Sequence, residues 1–312
     1  MNMSSIKELK REYDKTFVPD EDYLNSMPDL QNQPVASLPI ERVGIHNFHL
    51  PLKVHQLDGE YQEVRAEISG MVSLDADKAG INMSRIIRTA YGTFGDVFTI
   101  DTLCDVLKNY KKDLNSLEAQ VMVRFPYRMW TKALRTPNEG GWQYYDITFD
   151  LTLNRDGEFR KVMMIDFVYS SACPCSTELS MHAADVRGVY GIPHSQRSVA
   201  RVMLEFDKMI WIEDVVTLLR EVLQTETLVF CKRADEQAFA ELNGANVKFV
   251  EDAARLIADQ LNGEDLVNDY KLIINHLESL HSHNAVAVIT KGLPGSKFDP
   301  NVTIDEFNSL VR

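Results

Sequence analysis

Two cysteines separated by a single proline have the clearest potential for chemistry in this sequence. Cys173 and Cys175 flank Pro174 directly after an apolar, strand-like run. Because proline lacks a backbone N–H and restricts its own backbone angle, it predicts a bend that displays both thiols at the end of the strand. Such thiols could form a redox pair, act as a nucleophile or bind a metal ion, and simple burial is the non-functional alternative.

Histidines near other predicted strand ends favour the metal-binding interpretation. His194 precedes a strand-like segment, and His281 and His283 share one face if their segment is extended. Thiolate and imidazole are both common zinc ligands, so their concentration in one half of the chain indicates a metal site. Their spacings match no zinc finger, so the residues alone leave the alternatives open.

Two predicted helix starts add charged candidates. The segment from Lys232 to Glu236 places two cations beside two carboxylates, and a later helix carries Glu251 and Asp252 in its first turn. Acidic residues at these positions also serve simply to complement the helix dipole. Cys104 differs from all of these because it lies in an apolar helical pattern, which predicts a core position.

The elements that must position these residues follow an order that occurs twice. Period-two alternation predicts strands over 64–72, 119–125, 144–150, 160–169, 198–207, 270–277 and 285–290. Helical signals cover 83–91, a segment starting at Thr99, 212–224 and 249–261. Strands enclosing paired helices predict an α+β fold with antiparallel sheets covered by helices on one side. Open sheet edges need covering, so a homo-oligomer is expected.

Bulk composition narrows the class of protein. The 312 residues are 45% hydrophobic and carry a net charge of −13, which argues against nucleic-acid binding. No run of about 18 apolar residues predicts a membrane span, and the first residues lack the apolar core of a secretion signal, so a cytoplasmic protein is expected. Residues 1–40 are polar and rich in proline, which predicts an extended or partly disordered arm.

Several ordered blocks together resemble the type IB GTP cyclohydrolase I family, whose members are tunnelling-fold enzymes. The resemblance covers roughly residues 40 to 290, and its blocks are Cys-Pro-Cys-Ser at 173–176, His-Ser-Gln-Arg-Ser at 194–198, Lys-Arg-Ala-Asp-Glu at 232–236, Lys-Phe-Val-Glu-Asp at 248–252 and Glu-Ser-Leu-His-Ser-His-Asn-Ala-Val-Ala at 278–287. An earlier block, Asn-Met-Ser-Arg at 82–85, also resembles the family's.

The resemblance implies two tandem tunnelling-fold modules that close into a barrel on oligomerisation. The modules are expected at 41–155 and 156–295, after the arm at 1–40 and before a C-terminal tail at 296–312. A homotetramer with active sites at subunit interfaces is implied, as is the conversion of GTP and water into 7,8-dihydroneopterin triphosphate and formate, the first step of tetrahydrofolate biosynthesis.

The resemblance also implies the site residues. It makes Cys173, His194 and Glu236 the ligands of a divalent metal ion, which could be zinc, iron or manganese. Such a set leaves a position open for the water that attacks C8 of guanine.

Further roles are implied outside the metal ligands. Glu251 would accept hydrogen bonds from the N–H edge of guanine. His281 would move protons with support from Glu278, and Cys175 would tune Cys173 or oxidise with it. Arg197, Lys232 and Arg233 are candidates for contacts to the triphosphate.

Two departures from the family pattern keep other functions open. Asn82 stands where the family usually has histidine, and the segment Met181–Gly191 is longer than usual. The alternatives are an enzyme forming a cyclic phosphate product, a nitrile reductase with a nucleophilic cysteine and a nicotinamide cofactor, and a non-catalytic pterin- or purine-binding subunit.

Overall fold

The computed structural model describes residues 13–28, 34, 36–95, 97–292 and 295–310. In chain order the elements are α1 (Glu21–Asn25), β1 (Ile40–His55), β2 (Tyr61–Leu74), α2 (Met83–Phe94), β3 (Val97–Phe98), α3 (Ile100–Asp113), β4 (Ala119–Lys132), β5 (Gly140–Leu153), β6 (Phe159–Ala172), α4 (Pro174–Arg187), β7 (Ser195–Phe206), α5 (Ile212–Leu223), α6 (Arg233–Ala245), α7 (Val250–Asn262), β8 (Val267–His276), β9 (Ala285–Thr290) and α8 (Ile304–Ser309).

Within the described residues, all the strands belong to one nine-stranded sheet. Their order is β3-β1-β2-β4-β5-β6-β7-β8-β9, and each neighbouring pair is antiparallel except β1 and β3, which are parallel. The predicted α+β class and antiparallel pairing are confirmed. The two halves of the chain are continuous through the pairing of β5 with β6, and the module boundary expected at residue 155 falls in the turn between them.

One face of the sheet carries the main core and the paired helices. Alternate side chains of β5, including Tyr145, Ile147 and Phe149, are buried on this face, as period-two alternation requires. Helices α2 and α3 pack together over the first half, and α5 and α7 over the second. Apolar stripes such as Val215, Leu219 and Leu223 of α5 join the same core.

The opposite face is more polar and is partly covered by the C-terminal segment. Arg201 of β7 and Asp166 of β6 form a buried two-bond ion pair with both distances at 2.7 Å, and Arg201 also donates to Ser309 of α8. Leu310 and Phe307 pack on apolar residues of this face. The described end of the expected C-terminal tail, from Phe307 to Leu310, therefore packs on this face of the sheet.

The N-terminal arm is only partly within the described residues. Its positions 1–12, 29–33 and 35 lie outside them, so the expectation of an extended arm stays a prediction there. Between them α1 forms a single turn capped by Asp20, whose side chain accepts from the Tyr23 N–H, and none of its residues is buried.

The segment after Cys173 differs from its prediction. Pro174 does not make a turn but occupies the first position of α4, where its missing N–H has no helical partner to lose. The bend expected from proline is instead the start of a 14-residue helix with no buried residue. Among the described residues, no helix is long and apolar enough to cross a membrane.

Candidate active site at the ends of β6 and β7

Cys173 lies at the junction between β6 and α4, and a backbone hydrogen bond joins it to the residue before β7. Its backbone N–H donates to the carbonyl oxygen of His194 at 3.2 Å. Its own carbonyl oxygen accepts from the backbone N–H and the hydroxyl of Thr177, at 3.0 and 2.9 Å. Cys173 is half-buried, whereas Cys175, in the first turn of α4, is exposed. The two predicted ligands Cys173 and His194 are thus brought together by direct backbone contact.

His194 is held by both its backbone and its ring. Its N–H donates to Ser176 Oγ at 3.2 Å, and its ring Nδ1 lies 3.2 Å from Gln196 Oε1 and 3.3 Å from Glu278 Oε2. The His194 and Glu278 side chains are 16% and 11% exposed, so this contact is largely shielded from water. Gln196 Nε2 in turn donates to Ser171 Oγ at 2.9 Å and lies 3.4 Å from Glu278 Oε1.

Behind these residues the sheet carries a buried polar cluster. Ser171 Oγ lies 2.8 Å from Ser198 Oγ and 3.3 Å from His276 Nδ1, and His276 Nε2 lies 2.8 Å from the hydroxyl of Tyr169. Burial first, and then the charge of nearby Lys248, lowers the pKa of His276 to about 4, so the ring is neutral at physiological pH. Burial raises the pKa of the Tyr169 hydroxyl.

Lys248 is a second buried group that the sequence analysis did not single out. Its Nζ donates to the Asn246 carbonyl oxygen at 2.6 Å and to Thr225 Oγ1 at 3.4 Å, and its backbone N–H donates to Ala172, next to Cys173. Burial lowers the pKa of Lys248 to about 8. Lys248 belongs to the block at 248–252 that resembles the family. Its position directly before an apolar helix was the sequence feature that could have predicted its burial.

The loop between β8 and β9 holds Glu278, His281 and His283. The two histidines share one side, as expected, but through stacked rings 4.8 Å apart in an exposed loop rather than along a strand. The Glu278 carboxylate contacts His194 and Gln196, and its expected support of His281 stays a prediction.

Helix α6 is anchored to the first half of the chain by a residue that sequence reasoning missed. The buried carboxylate of Asp235 accepts from the backbone N–H groups of Arg135, Thr136 and Lys232 and from the Thr136 hydroxyl. The Thr136 hydroxyl, with the backbone donors, holds the pKa of this carboxyl well below its usual range. Glu236 follows Asp235 directly and is exposed.

The remaining candidates are exposed. Lys232 forms an ion pair with Glu139 at 2.7 Å, and Arg233 is exposed at the start of α6. Arg197 is exposed on β7, and Glu251 is exposed in the first turn of α7. The structure therefore brings together Cys173, His194 and Glu278. The side chains of Arg197, Lys232, Arg233 and Glu251 make no hydrogen bond or ion pair with that group in the described structure.

A metal ion fits part of this arrangement. Cys173 and His194 carry a thiol and an imidazole on residues joined by a backbone hydrogen bond, and these two ligand types suit zinc or a similar cation. Glu278 Oε2 is buried without a hydrogen-bond partner among the described residues, and it faces His194 Nδ1. A full ligand set is not assembled, because the described residues contain no group of three or more Cys, His, Asp or Glu side chains that could hold a metal. Glu236 therefore stays a predicted ligand, and no hydrogen bond or ion pair joins its side chain to Cys173 or His194 in the described structure.

Comparison with known proteins identifies the family. Residues 27–287 match the family described as "Type I GTP cyclohydrolase folE2". The chain belongs to this GTP cyclohydrolase FolE2 family. A GTP cyclohydrolase FolE2 of Cereibacter sphaeroides is 46% identical, with 98% of this chain and 86% of that protein covered. One from Paracoccus denitrificans is 47% identical, with 91% and 90% covered.

The fold of this FolE2 family member also resembles a structurally known enzyme. Uricase from Arthrobacter globiformis aligns with a TM-score of 0.52 at 11% identity, covering 83% of this chain and 96% of that one. At this identity the likeness concerns the fold alone, which is the predicted tunnelling fold.

Both departures from the FolE2 pattern lie at helix starts or ends. Asn82 occupies the N-cap position of α2, where its side chain accepts a hydrogen bond from Ser84 Oγ at 2.6 Å rather than from a backbone N–H of the helix. The segment Met181–Gly191, which was expected to be longer than usual, forms the end of α4 and the chain that follows it, in which Tyr190 is 86% exposed.

Proposed function

We propose that this protein is a GTP cyclohydrolase I, which converts GTP and water into 7,8-dihydroneopterin triphosphate and formate at the first step of tetrahydrofolate biosynthesis. The observation that carries the proposal is the contact between Cys173 and His194, which pairs two candidate ligands at adjoining strand ends in a chain of the FolE2 family.

In the proposed site Cys173 and His194 would hold a divalent cation, either zinc, iron or manganese, with Glu236 as the expected third ligand. The cation, when bound, would lower the pKa of a coordinated water so that it can attack C8 of guanine at neutral pH. The protein's own contribution is the rigid placement of the thiol and the imidazole by the junctions β6–α4 and β7.

Other residues would bind GTP and move protons. Glu251 is an exposed carboxylate, and an ionised carboxylate can accept from two neighbouring N–H groups of guanine. His281 would transfer protons during ring opening, because an imidazole can both donate and accept a proton and His281 is exposed in the same loop as Glu278. Arg197, Lys232 and Arg233 are exposed cations suited to a triphosphate, and exposed Cys175 would tune or oxidise with Cys173.

We also propose a homo-oligomer, expected to be a homotetramer. Helix α4, which begins at the proposed site, buries none of its residues. Its apolar side chains Leu179 and Val186 are each 67% exposed. Leu179 and Val186 lie seven residues apart and so on the same side of the helix, where a second subunit could cover both. A second copy would cover this helix and bring side chains to the exposed candidates Glu251 and His281.

The proposal is tested by incubating metal-free protein with GTP after reconstitution with zinc, iron or manganese in turn. Formate and the neopterin triphosphate should appear together with at least one metal. Cys173→Ala should abolish formate release while the circular dichroism spectrum is retained, and Cys231→Ala, which removes an exposed thiol, should be fully active.

Three results would contradict the proposal. They are a cyclic phosphate as the main product, oxidation of NADPH with a nitrile substrate, and formate release that survives Cys173→Ala.

A further inference from the structure

The candidate site is continuous with a chain of polar side chains that runs into the sheet. From His194 it passes through Gln196 to Ser171, and from there to His276 and Tyr169. Gln196 is 8% exposed, and the three residues beyond it are at most 2% exposed. Buried polar groups are costly unless each has a partner, so the direction of every hydrogen bond in this chain is constrained.

The carboxylate of Glu278 determines which way the Gln196 amide points. An ionised carboxylate can only accept hydrogen bonds, so the group 3.4 Å from Glu278 Oε1 must be the amide NH₂. The same NH₂ donates to Ser171 Oγ at 2.9 Å. A flipped amide would place its oxygen against the carboxylate oxygen, losing that hydrogen bond and adding repulsion between two acceptors, whereas the Ser171 hydroxyl could pair with either end of the amide. Gln196 Oε1 therefore faces His194.

Two acceptors consequently converge on one ring nitrogen of His194. Gln196 Oε1 lies 3.2 Å and Glu278 Oε2 lies 3.3 Å from Nδ1. A nitrogen between two oxygen acceptors must carry the hydrogen, because a lone pair there would repel both. In a neutral imidazole the other nitrogen, Nε2, then keeps its lone pair.

We propose that Gln196 and Glu278 are positioning residues that hold His194 as the Nδ1–H tautomer, which leaves Nε2 as the ring nitrogen available to a metal ion. The inference rests on the proposed function in one respect, namely that His194 is a metal ligand. It gives Glu278 a role distinct from support of His281, and it gives Gln196 a role that neither composition nor spacing assigns.

The unpartnered oxygen of Glu278 supports this role. Glu278 Oε2 is buried and makes no conventional hydrogen bond within the described part of the chain. A cation on Nε2 would make the Nδ1–H group more positive and so strengthen its electrostatic attraction to this oxygen, which lies 3.3 Å from Nδ1. Ligating histidines commonly donate their second ring N–H to a carboxylate or carbonyl, and losing such a partner lowers metal affinity by about 10- to 100-fold.

The first measurement is the tautomer of His194 in the metal-free, full-length protein. Nitrogen-15 spectra that correlate ring nitrogens with ring hydrogens distinguish a protonated from an unprotonated nitrogen, and His194→Gln assigns the signals. At a pH where the ring is neutral, wild-type His194 should show a protonated Nδ1 and an unprotonated Nε2. Gln196→Met, which has similar volume but no acceptor, should lose this pattern.

The second measurement is zinc affinity by competition with a chromophoric chelator. Gln196→Met and Glu278→Gln should bind zinc about 10- to 100-fold more weakly than wild type, with unchanged circular dichroism. Ser198→Ala is the matched control, because Ser198 belongs to the same buried cluster but its side chain contacts Ser171 and not His194. It should keep both the tautomer and the affinity.

The outcomes separate this inference from the proposed function. A wild-type His194 protonated on Nε2, or variants that bind zinc as tightly as wild type, would overturn the positioning role while leaving GTP hydrolysis in place. Wild-type protein whose His194 signals do not respond to zinc would overturn the metal assignment itself, and the inference with it.

Discussion

Replacing Lys248 with methionine should stabilise the protein at neutral pH, and the gain should shrink as the pH rises. The lysine is 6% exposed, and burial lowers its pKa from 10.5 to about 8. When folding lowers the pKa of a basic group, the free-energy cost of keeping that group protonated in the folded state applies in full at pH values below the lowered pKa. Between about 8 and 10.5 the folded protein loses the proton before the unfolded chain does, so wild-type stability rises.

The size of the effect follows from these two values. Their difference corresponds to a penalty of at most about 3 kcal/mol below pH 8, and partial solvent screening reduces it. Methionine also loses the hydrogen bonds to Asn246 and Thr225, which costs about 1 kcal/mol each. The net gain at pH 6.5 is therefore about 1 kcal/mol. At pH 9.5 the penalty has fallen by about 1 to 2 kcal/mol, so the gain should vanish or reverse.

Urea denaturation of wild type and Lys248→Met at pH 6.5 and 9.5 measures this difference. The free-energy difference of unfolding between them should change by about 1 to 2 kcal/mol across that range. A difference that is equal at both pH values would refute the depressed pKa. A large loss of stability at pH 6.5 would show that the hydrogen bonds outweigh the charge penalty.

Other substitutions test separate parts of the structure. Glu251→Gln should lower kcat/KM for GTP by about 100-fold, through loss of a charge-assisted contact of about 2 to 3 kcal/mol, with no change in Tm; unaltered kinetics would remove this residue from the guanine site. Asp235→Ala should release the start of α6, so that formate release falls and limited proteolysis cuts near Arg135; an unchanged digestion pattern would disagree. Arg201→Met should lower the free energy of unfolding by about 3 to 5 kcal/mol, because it leaves the Asp166 charge buried and unpaired, and a urea midpoint close to wild type would contradict this.

Much of the sheet and its helices could be predicted because burial on one face imposes a period on the sequence. The buried residues of α5 recur at helical spacing, so this helix was predicted within one residue of its bounds. Residues 145–153 of β5 alternate strictly, which predicted its central part over 144–150 but not its full length from Gly140 to Leu153. Thr99 was recognised as the start of α3, and its side chain caps that helix by accepting from the Thr102 N–H. Cys104 is buried in the core, as its pattern predicted.

Helix α4 could not be predicted in this way because it buries nothing within the chain. Without an apolar stripe there is no helical period to detect, and Pro174 indicates either a bend or a first helical position equally well. The C-terminal helix α8 did leave a local signal, since Thr303 and Glu306 form a reciprocal capping box at its start.

The buried polar cluster was missed for a topological reason. Tyr169, Ser198 and His276 lie on three strands far apart in sequence, and they become neighbours because Tyr169 pairs with Ser198 and Ser198 with His276. Nothing in the sequence around any one of them points to the other two. Strand register, which a single sequence does not specify, is what turns them into a network.

The anchoring of α6 makes the two halves of the chain interdependent. Asp235 and Lys232 belong to the half that carries the candidate ligands, yet they bind the β4–β5 loop of the other half at Arg135, Thr136 and Glu139. Cutting the chain in the turn after β5 would separate the chemistry from part of its scaffold. Neither fragment should work alone, and recovery of activity should require both together. Substitutions at Arg135, Thr136 or Glu139, in a loop without candidate catalytic residues, should therefore disturb the position of α6 and with it the half of the chain that carries the chemistry.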